Sequence, residues 1–506
     1  MPFKSENRDL QVTTVLGQDV LELIRFRGEE GLSELSTFEL DFVSRNAAIA
    51  AEDLIGTSVT VKLKLETDGE RHFHGYVHSF FAFDERERGA RNYRAIVVPW
   101  LWFLTQTTDC RVFQEKTVIE IIESVFNDLG FADYTTSRVR GGNTKRKRNY
   151  CVQYRESDFD FLSRLMEEEG LFYFFEHSDG KHTLHLADSI AAYKECAESK
   201  VDCPPSEHRS RYAVSHITHW EHQYRFRPGA WAHADYNFKN PYQPLLATET
   251  TLMKFKKIKD FEMYDFPGEF RALEYGCELA RIRMEELEAD HNLVKGSSLC
   301  RTFSPSLTFK VGVHRSKNEA GKSYTIQRIV HLAEQPDYET SGGGSAVSYV
   351  NDFECFPSSM TFRPPRKTPK PRIPGCQTAV VTGPPGEKIY TDEHERVKVQ
   401  FFWDRYGKND ENSSCWIRVA QEWAGEGWGM VHIPHVGQEV VLMFQDGDPD
   451  QPIIIGRVFN AGQKVPISLP ASKTQSIMRD HGGNQTIMEG APGKQFILIS
   501  QKRSGG

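Results

Sequence analysis

The chain has 506 residues, of which 39% are hydrophobic, 12% aromatic and 26% charged. That balance describes folded domains rather than a disordered chain, and the length allows about three of them. A formal net charge of −8 argues against general attraction to nucleic acid or to an anionic membrane. No run reaches the ~18–20 apolar residues that span a bilayer. The N-terminus MPFKSENRDLQVTT lacks the apolar core of a signal peptide. Nine scattered cysteines without a CxxC pair read as reduced thiols of a cytosolic product.

Up to about residue 99 the pattern is β-rich. Residues 38–43 (FELDFV) and 59–65 (VTVKLKL) alternate apolar and polar, as half-buried strands do. Asp68-Gly69 is a hairpin signal before residues 72–77. The period then changes. Thr117 with Glu120 is a capping box, Val118, Ile121, Ile122, Val125 and Leu129 form one apolar face, and Gly130 stops the helix. Residues 157–170 repeat that logic, with Ser157 as cap, Phe161, Leu162, Leu165 and Met166 as stripe and Gly170 as stop. A hairpin over 171–186 follows, then more strands to 238, a longer helix over about 267–290, and strands over 308–313 and 324–332. The fold class is mainly β with α+β segments.

From residue 341 the composition shifts. Gly342-Gly343-Gly344 and the stretch RPPRKTPKPRIP at 363–374 mark a basic, partly polyproline-like linker. Residues 397–460 then carry short runs rich in β-branched and aromatic residues: 397–401, 416–419, 430–433, 440–444 and 453–455. Turn signals separate them, which reads as a small closed barrel of OB-fold size. Beyond it, residues 476–478, 486–488 and 496–500 are strand-like pieces between glycine turns, a pattern that can open a β-solenoid.

The candidates for chemistry are weak. No HExxH, GxSxG or GxGxxG occurs. Gly321-Lys322-Ser323 imitates the end of a P-loop, but Ser316 stands where the upstream glycine is needed, so a surface turn is expected. His216, His219 and His222, with His208 and His233 nearby, are the densest imidazoles. A strand over 214–222 puts His219 on the face opposite His216 and His222, so ordinary half-buried histidines are expected rather than a metal site. Glu167-Glu168-Glu169 splay around a helix and read as a solvated helix end rather than a glycosidase pair. Lys145-Arg146-Lys147-Arg148 and the basic linker read as exposed loops. Asp392, Glu393, Asp446, Asp448 and Asp450 argue against oligonucleotide binding by the barrel.

The barrel segment resembles the VgrG family, the spike of the bacterial type VI secretion system. The match rests on RVKVQF at 396–401 leading to Trp403-Asp404, CWIRV at 415–419, GWG at 427–429, PHVGQEV at 434–440 and GDPDQPI at 447–453. YCVQYRESDFDF at 150–161, RLMEEEG at 164–170, FRGEEGLS at 26–33 and PGE at 267–269 resemble the same family, so the likeness covers essentially the whole chain. It implies a hub at 1–340 like that of contractile phage tails, built of two related β-barrels with inserted helices. It further implies a linker at 341–375, an OB-fold at 376–462, and a neck at 463–506 that starts a β-helix needle. The phage counterpart carries a lysozyme domain after its barrel; nothing of that size separates Asn460 from Ser476. The implied function is mechanical. A homotrimer assembled in the cytoplasm caps the Hcp tube, bears a PAAR-type tip protein and effectors, and contacts baseplate proteins. Sheath contraction then expels it through the target membrane. No catalytic, cofactor or metal residue is implied. The alternatives are the hub-spike of a phage or prophage tail and a cell-wall or metal-dependent hydrolase.

Overall fold

The computed structural model describes residues 8–66, 68–85, 90–205, 207, 215–337 and 347–501. His208 and Gly342-Gly343-Gly344 lie outside them. The chain forms two compact units: Met1–Asp109, Glu115–Arg148 and Arg155–Lys370 make the first, and Cys110–Gln114, Asn149–Tyr154 and Pro371–Gly506 the second.

The first unit, which falls where the hub is expected and is called so below, is organised by a 12-stranded sheet. Its N-terminal half comprises Leu10–Thr13, Glu22–Gly31, Thr37–Ser44, Ser58–Lys64, Glu70–Glu85 and Arg91–Val98. In Thr37–Ser44 the alternation is literal: Phe38, Leu40 and Phe42 are buried while Glu39 and Asp41 are half-exposed. The inward rings of Phe26, Phe38 and Phe73 meet at 4.6–5.8 Å between centroids. The C-terminal half contains Ile217–Tyr224, Asn292–Ser298, Ser323–Glu334 and Ser348–Pro357, and it buries a second cluster around Phe303, Phe309, Tyr324 and Phe353. One antiparallel seam, Glu22–Gly31 against Ser323–Glu334, makes the two halves a single hydrogen-bonded sheet with two cores.

Among the described residues, three α-helices are set into this frame. Helix α1 (Val118–Asp128) carries the expected reciprocal cap: Glu120 N–H donates to Thr117 Oγ1 at 3.1 Å and Thr117 N–H to Glu120 Oε2 at 2.7 Å. Helix α2 (Asp158–Glu169) starts at Ser157 and ends at Gly170, whose φ is +68°. A Cβ on Gly170 would lie 2.7 Å from Ile282 Cγ2, so both the backbone and the packing require glycine there. Helix α3 (Leu273–Glu288) begins later than the expected 267. Gly268 N–H donates to Ala234 O and Phe270 N–H to Asp235 Oδ2, so this stretch is tied to a neighbouring strand instead of coiling.

The expected linker at 341–375 is also revised. Ser348–Pro357 is a full strand of the hub sheet, because its alternating Tyr349, Asn351 and Phe353 have an interior face to occupy.

In the second unit the strands Lys398–Phe401, Gln377–Thr382, Glu439–Phe444, Pro452–Val458 and Arg418–Val419 follow one another in the sheet. The ends meet through Val397 and Ile417, which exchange backbone hydrogen bonds of 3.0 and 2.8 Å, so the barrel is closed. Ala379, Val399, Phe401, Val440, Leu442 and Ile454 fill it. Tyr150 and Val152 join that core from far upstream, and Asp450 Oδ1 accepts the Val152 N–H at 2.7 Å. The strand expected at 430–433 is absent. Met430 N–H instead donates to Trp423 O, closing a small hairpin of Ala424–Gly425 with Trp428–Gly429. The neck strands Gln475–Arg479, Gln485–Glu489 and Phe496–Ser500 form an antiparallel meander.

Candidate functional site

Among the described residues, the histidines singled out from sequence are not grouped as a metal site. His219 is exposed, while His222 sits between Glu319 Oε1 at 2.8 Å and Asn292 Oδ1 at 2.5 Å. His233 Nε2 lies 2.8 Å from Gly276 O. Among the described residues, no three His, Cys, Asp or Glu side chains are grouped as metal ligands. Gly321 to Ser323 is an exposed turn leading into a strand. In the barrel, Asp404 Oδ1 accepts the N–H groups of Tyr406 and Gly407, and Asp392 pairs with Arg396 at 2.7 Å, so these two acids stabilise turns.

The glutamate run is a correction. Glu167 and Glu169 are buried, and the end of α2 is not solvated. Glu167 accepts from the N–H and hydroxyl of Thr368 at 3.0 and 2.9 Å. Glu168 pairs with Arg148 at 2.7 Å, and Glu169 with Arg148 at 2.6 Å and the Tyr275 hydroxyl at 3.1 Å. Burial opposes the charge on Glu168, but Arg148, Lys370 and Arg164 outweigh it and hold its carboxyl at about 2. Burial pushes the Glu167 carboxyl up. Consecutive carboxylates thus leave the helix in different directions, as expected, but each meets a partner from a distant segment.

Those partners correct the basic stretches too. Lys145 and Lys147 are exposed, yet Arg148 clasps α2 and the Arg146 guanidinium lies 3.6 Å from the Tyr275 ring centroid. Arg363 is buried; it donates to Gly170 O at 2.7 Å, Asp188 O at 2.9 Å and Glu285 Oε2 at 2.7 Å. Arg366 reaches Glu286 and stacks over Trp231, and Lys370 pairs with Glu269 at 3.1 Å. Residues 363–370 are a strap fastened to the hub, not a free linker.

Sequence reasoning missed a buried polar cluster in the hub. Glu30 Oε2 meets Arg71 Nη2 at 2.8 Å and His331 Nε2 at 2.9 Å, and Glu30 Oε1 lies 3.3 Å from His177 Nε2. His331 Nδ1 is 2.8 Å from the Tyr349 hydroxyl. His74 and His182 share a 2.7 Å contact between their Nδ1 atoms, and Trp100 N–H donates to His182 Nε2 at 3.0 Å. Burial, reinforced by Arg71, pushes His331 down to about 4; burial, reinforced by His177, does the same to His74. Burial opposes the charge on Glu30, but His177, the hydrogen-bonded His331 and the Arg71 charge hold its carboxyl well below the usual range. Glu30 and His331 alone stand 301 positions apart, so no local motif announces the cluster. Each charge here is matched inside the protein, which is the geometry of a structural polar core.

The second unit presents the opposite chemistry. Trp423 and Trp428 stand 59% and 58% exposed in the hairpin, 5.4 Å apart in an edge-to-face pair. In the neck, register places Met478, Met488, Ile497 and Ile499 on one face and Ile477, Ile487 and Leu498 on the other. Ile497 and Ile499 are 73% and 79% exposed. A three-stranded sheet with apolar side chains on both faces has no core of its own. These surfaces, rather than any cleft, are the candidate functional site.

Comparison with known proteins fits this division. The profile of the phage tail baseplate hub (GPD) family matches residues 29–336, and that of the type VI secretion system/phage-baseplate injector OB domain matches 387–459. The chain is 39% identical to the type VI secretion system spike protein VgrG1a of Pseudomonas aeruginosa over 98% of its own length and 78% of that protein. It is 32% identical to the actin cross-linking toxin VgrG1 of Vibrio cholerae, over 96% of this chain and 45% of that one. Among solved structures it is similar to the E. coli c3393 protein, described as a type VI secretion component resembling the T4 tail proteins gp27 and gp5. That likeness has a TM-score of 0.64 at 19% identity and covers 88% of this chain and all of that one.

Proposed function

Because this chain belongs to the VgrG family of type VI secretion spike proteins, we propose that it acts mechanically, as a homotrimeric spike. The observation that carries the reading is the neck. Its sheet has apolar residues on both faces, and two further copies would convert those faces into a shared interior. A closed barrel suits the load, because it offers no free edge for peeling. Threefold symmetry repeats one interface around the axis. The hub would seat on the Hcp tube, and a PAAR-type tip protein and effectors would ride on the assembly. Assembly in the cytoplasm would precede expulsion by sheath contraction. The names of the relatives favour this over a prophage tail or a hydrolase.

The chain's own part is structural rather than catalytic. Two clusters of ionisable groups, around Glu30 and around Glu168, are each neutralised by partners within the chain. Sedimentation equilibrium of the full chain tests the assembly, with three times the chain mass expected. A monomer at every accessible concentration would sink the proposal. Loss of turbidity from purified peptidoglycan on adding the protein would instead establish an enzyme.

A further inference from the structure

Residues 225–290 form a lobe between two paired hub strands, Ile217–Tyr224 and Asn292–Ser298. Its base is clasped: Arg225 N–H donates to His291 O at 2.9 Å, and Asp290 accepts from Arg225 at 3.0 Å and Arg227 at 2.7 Å. Inside, one face of the sheet Leu245–Thr250, Ala230–Asp235 and Glu262–Asp265 packs Trp231, Leu245 and Ala247 against Leu279, Ala280 and Met284 of α3. The lobe therefore has a core of its own.

Its surface carries one strongly basic run, followed by exposed Asp260 and Glu262. Residues 252–259 (LMKFKKIK) hold four lysines and no acid, in a chain of net charge −8. Lys254, Lys256, Lys257 and Lys259 are all exposed, and none is in an ion pair among the described residues. Leu252 stands 90% exposed among them, beside exposed Phe255. By register, Leu246 and Tyr264 flank Ala232 and Ala234 on the outer face of the sheet, and both are more than half exposed. Clustered cations beside aliphatic and aromatic side chains select a partner that offers both acidic and apolar groups. The apolar groups are spread over a sheet face and a loop. An anchor in a bilayer interface instead gathers them on one side of an amphipathic helix.

We propose that this lobe is a docking surface for an acidic protein segment that also carries apolar side chains. The proposal does not depend on trimer formation or on expulsion. The test titrates the full chain with a labelled synthetic peptide alternating glutamate with leucine and phenylalanine, with a polyglutamate peptide of equal charge, and with phosphatidylglycerol vesicles. The alternating peptide should bind at least about tenfold more tightly than polyglutamate, and more weakly as salt rises. The variant K254E/K256E/K257E/K259E and the variant L252S/F255S should each weaken that binding about tenfold or more. Both should keep the parent's near-ultraviolet circular dichroism and sedimentation. Failure of the alternating peptide to bind, equal binding of both peptides, or binding unaffected by the variants would overturn the proposal. So would binding of the vesicles in place of the peptide. A drop in oligomeric state confined to the variants would also overturn it, because a second copy of this chain would then be the occupant.

Discussion

The hub cluster around Glu30 and the neck sheet around Ile497 answer the same question in opposite ways. In the hub, Glu30, Arg71, His177 and His331 are polar groups sealed in an interior, and each finds its partner within one chain. In the neck, Ile497, Ile499, Met478 and Met488 are apolar groups left in water. The first region is finished by its own fold, and the second, on the proposed reading, by other copies. A spike needs both, a body whose stability is local and a contact whose stability comes from assembly.

The largest expected effect comes from the neck. I497D/I499D should convert the trimer to monomers in sedimentation while the hub keeps its thermal transition, because a charge in a shared apolar interior is strongly disfavoured. If the trimer persists, the neck is not the contact that builds it. Next, E30A should cost the hub about 3 kcal/mol in denaturant unfolding, because the largely enclosed Arg71, its side chain 12% exposed, would lose its counter-ion. That substitution should leave the oligomeric state of the folded fraction unchanged.

Acid should act on the hub by a related route. His74 and His331 have folded values near 4, below the ~6.5 of an unfolded chain. The unfolded state therefore binds protons more readily, and stability should fall as pH drops from about 6.5 to 4. Glu30, also depressed, contributes stability above the usual carboxylate range, and that contribution is lost as pH falls further. H331Q should flatten the pH 6.5–4 slope in chemical denaturation; an unchanged slope would show that other groups set it. The smallest effect is T117A, which removes one half of a capping box and should cost about 1 kcal/mol. A loss several times larger would mean that Thr117 does more than cap.

What was legible in the sequence follows the range of the interactions. The strand Thr37–Ser44, the cap at Thr117 and the stop at Gly170 depend on residues within a few positions, and each stands where the pattern puts it. The barrel was legible from closely spaced runs, although Met430 to Ile433 form no strand, the Met430 N–H being taken by Trp423 O at the base of a hairpin. Glu167 to Glu169 misled because a run of like charges usually faces water. Arg148 and Thr368, which claim them, lie 20 and 201 positions away. The strap at 363–370 misled for the same reason, since proline and lysine read as a spacer until Arg363 is seen to donate to Gly170 O. The Glu30 cluster left no local trace at all, whereas the three strands after residue 474 were legible from their spacing between glycine turns.

Tyr150 and Val152 in the barrel core have a genetic consequence. The barrel is not encoded by one uninterrupted stretch of codons. A gene fusion that transplants residues 371–506 onto another carrier would leave out the side chains that complete the interior and the backbone N–H that Asp450 accepts. Recombination between relatives should therefore tolerate breakpoints beyond the barrel better than breakpoints just before it. An engineer swapping spikes would need to carry the segment around residue 150 along with the tip.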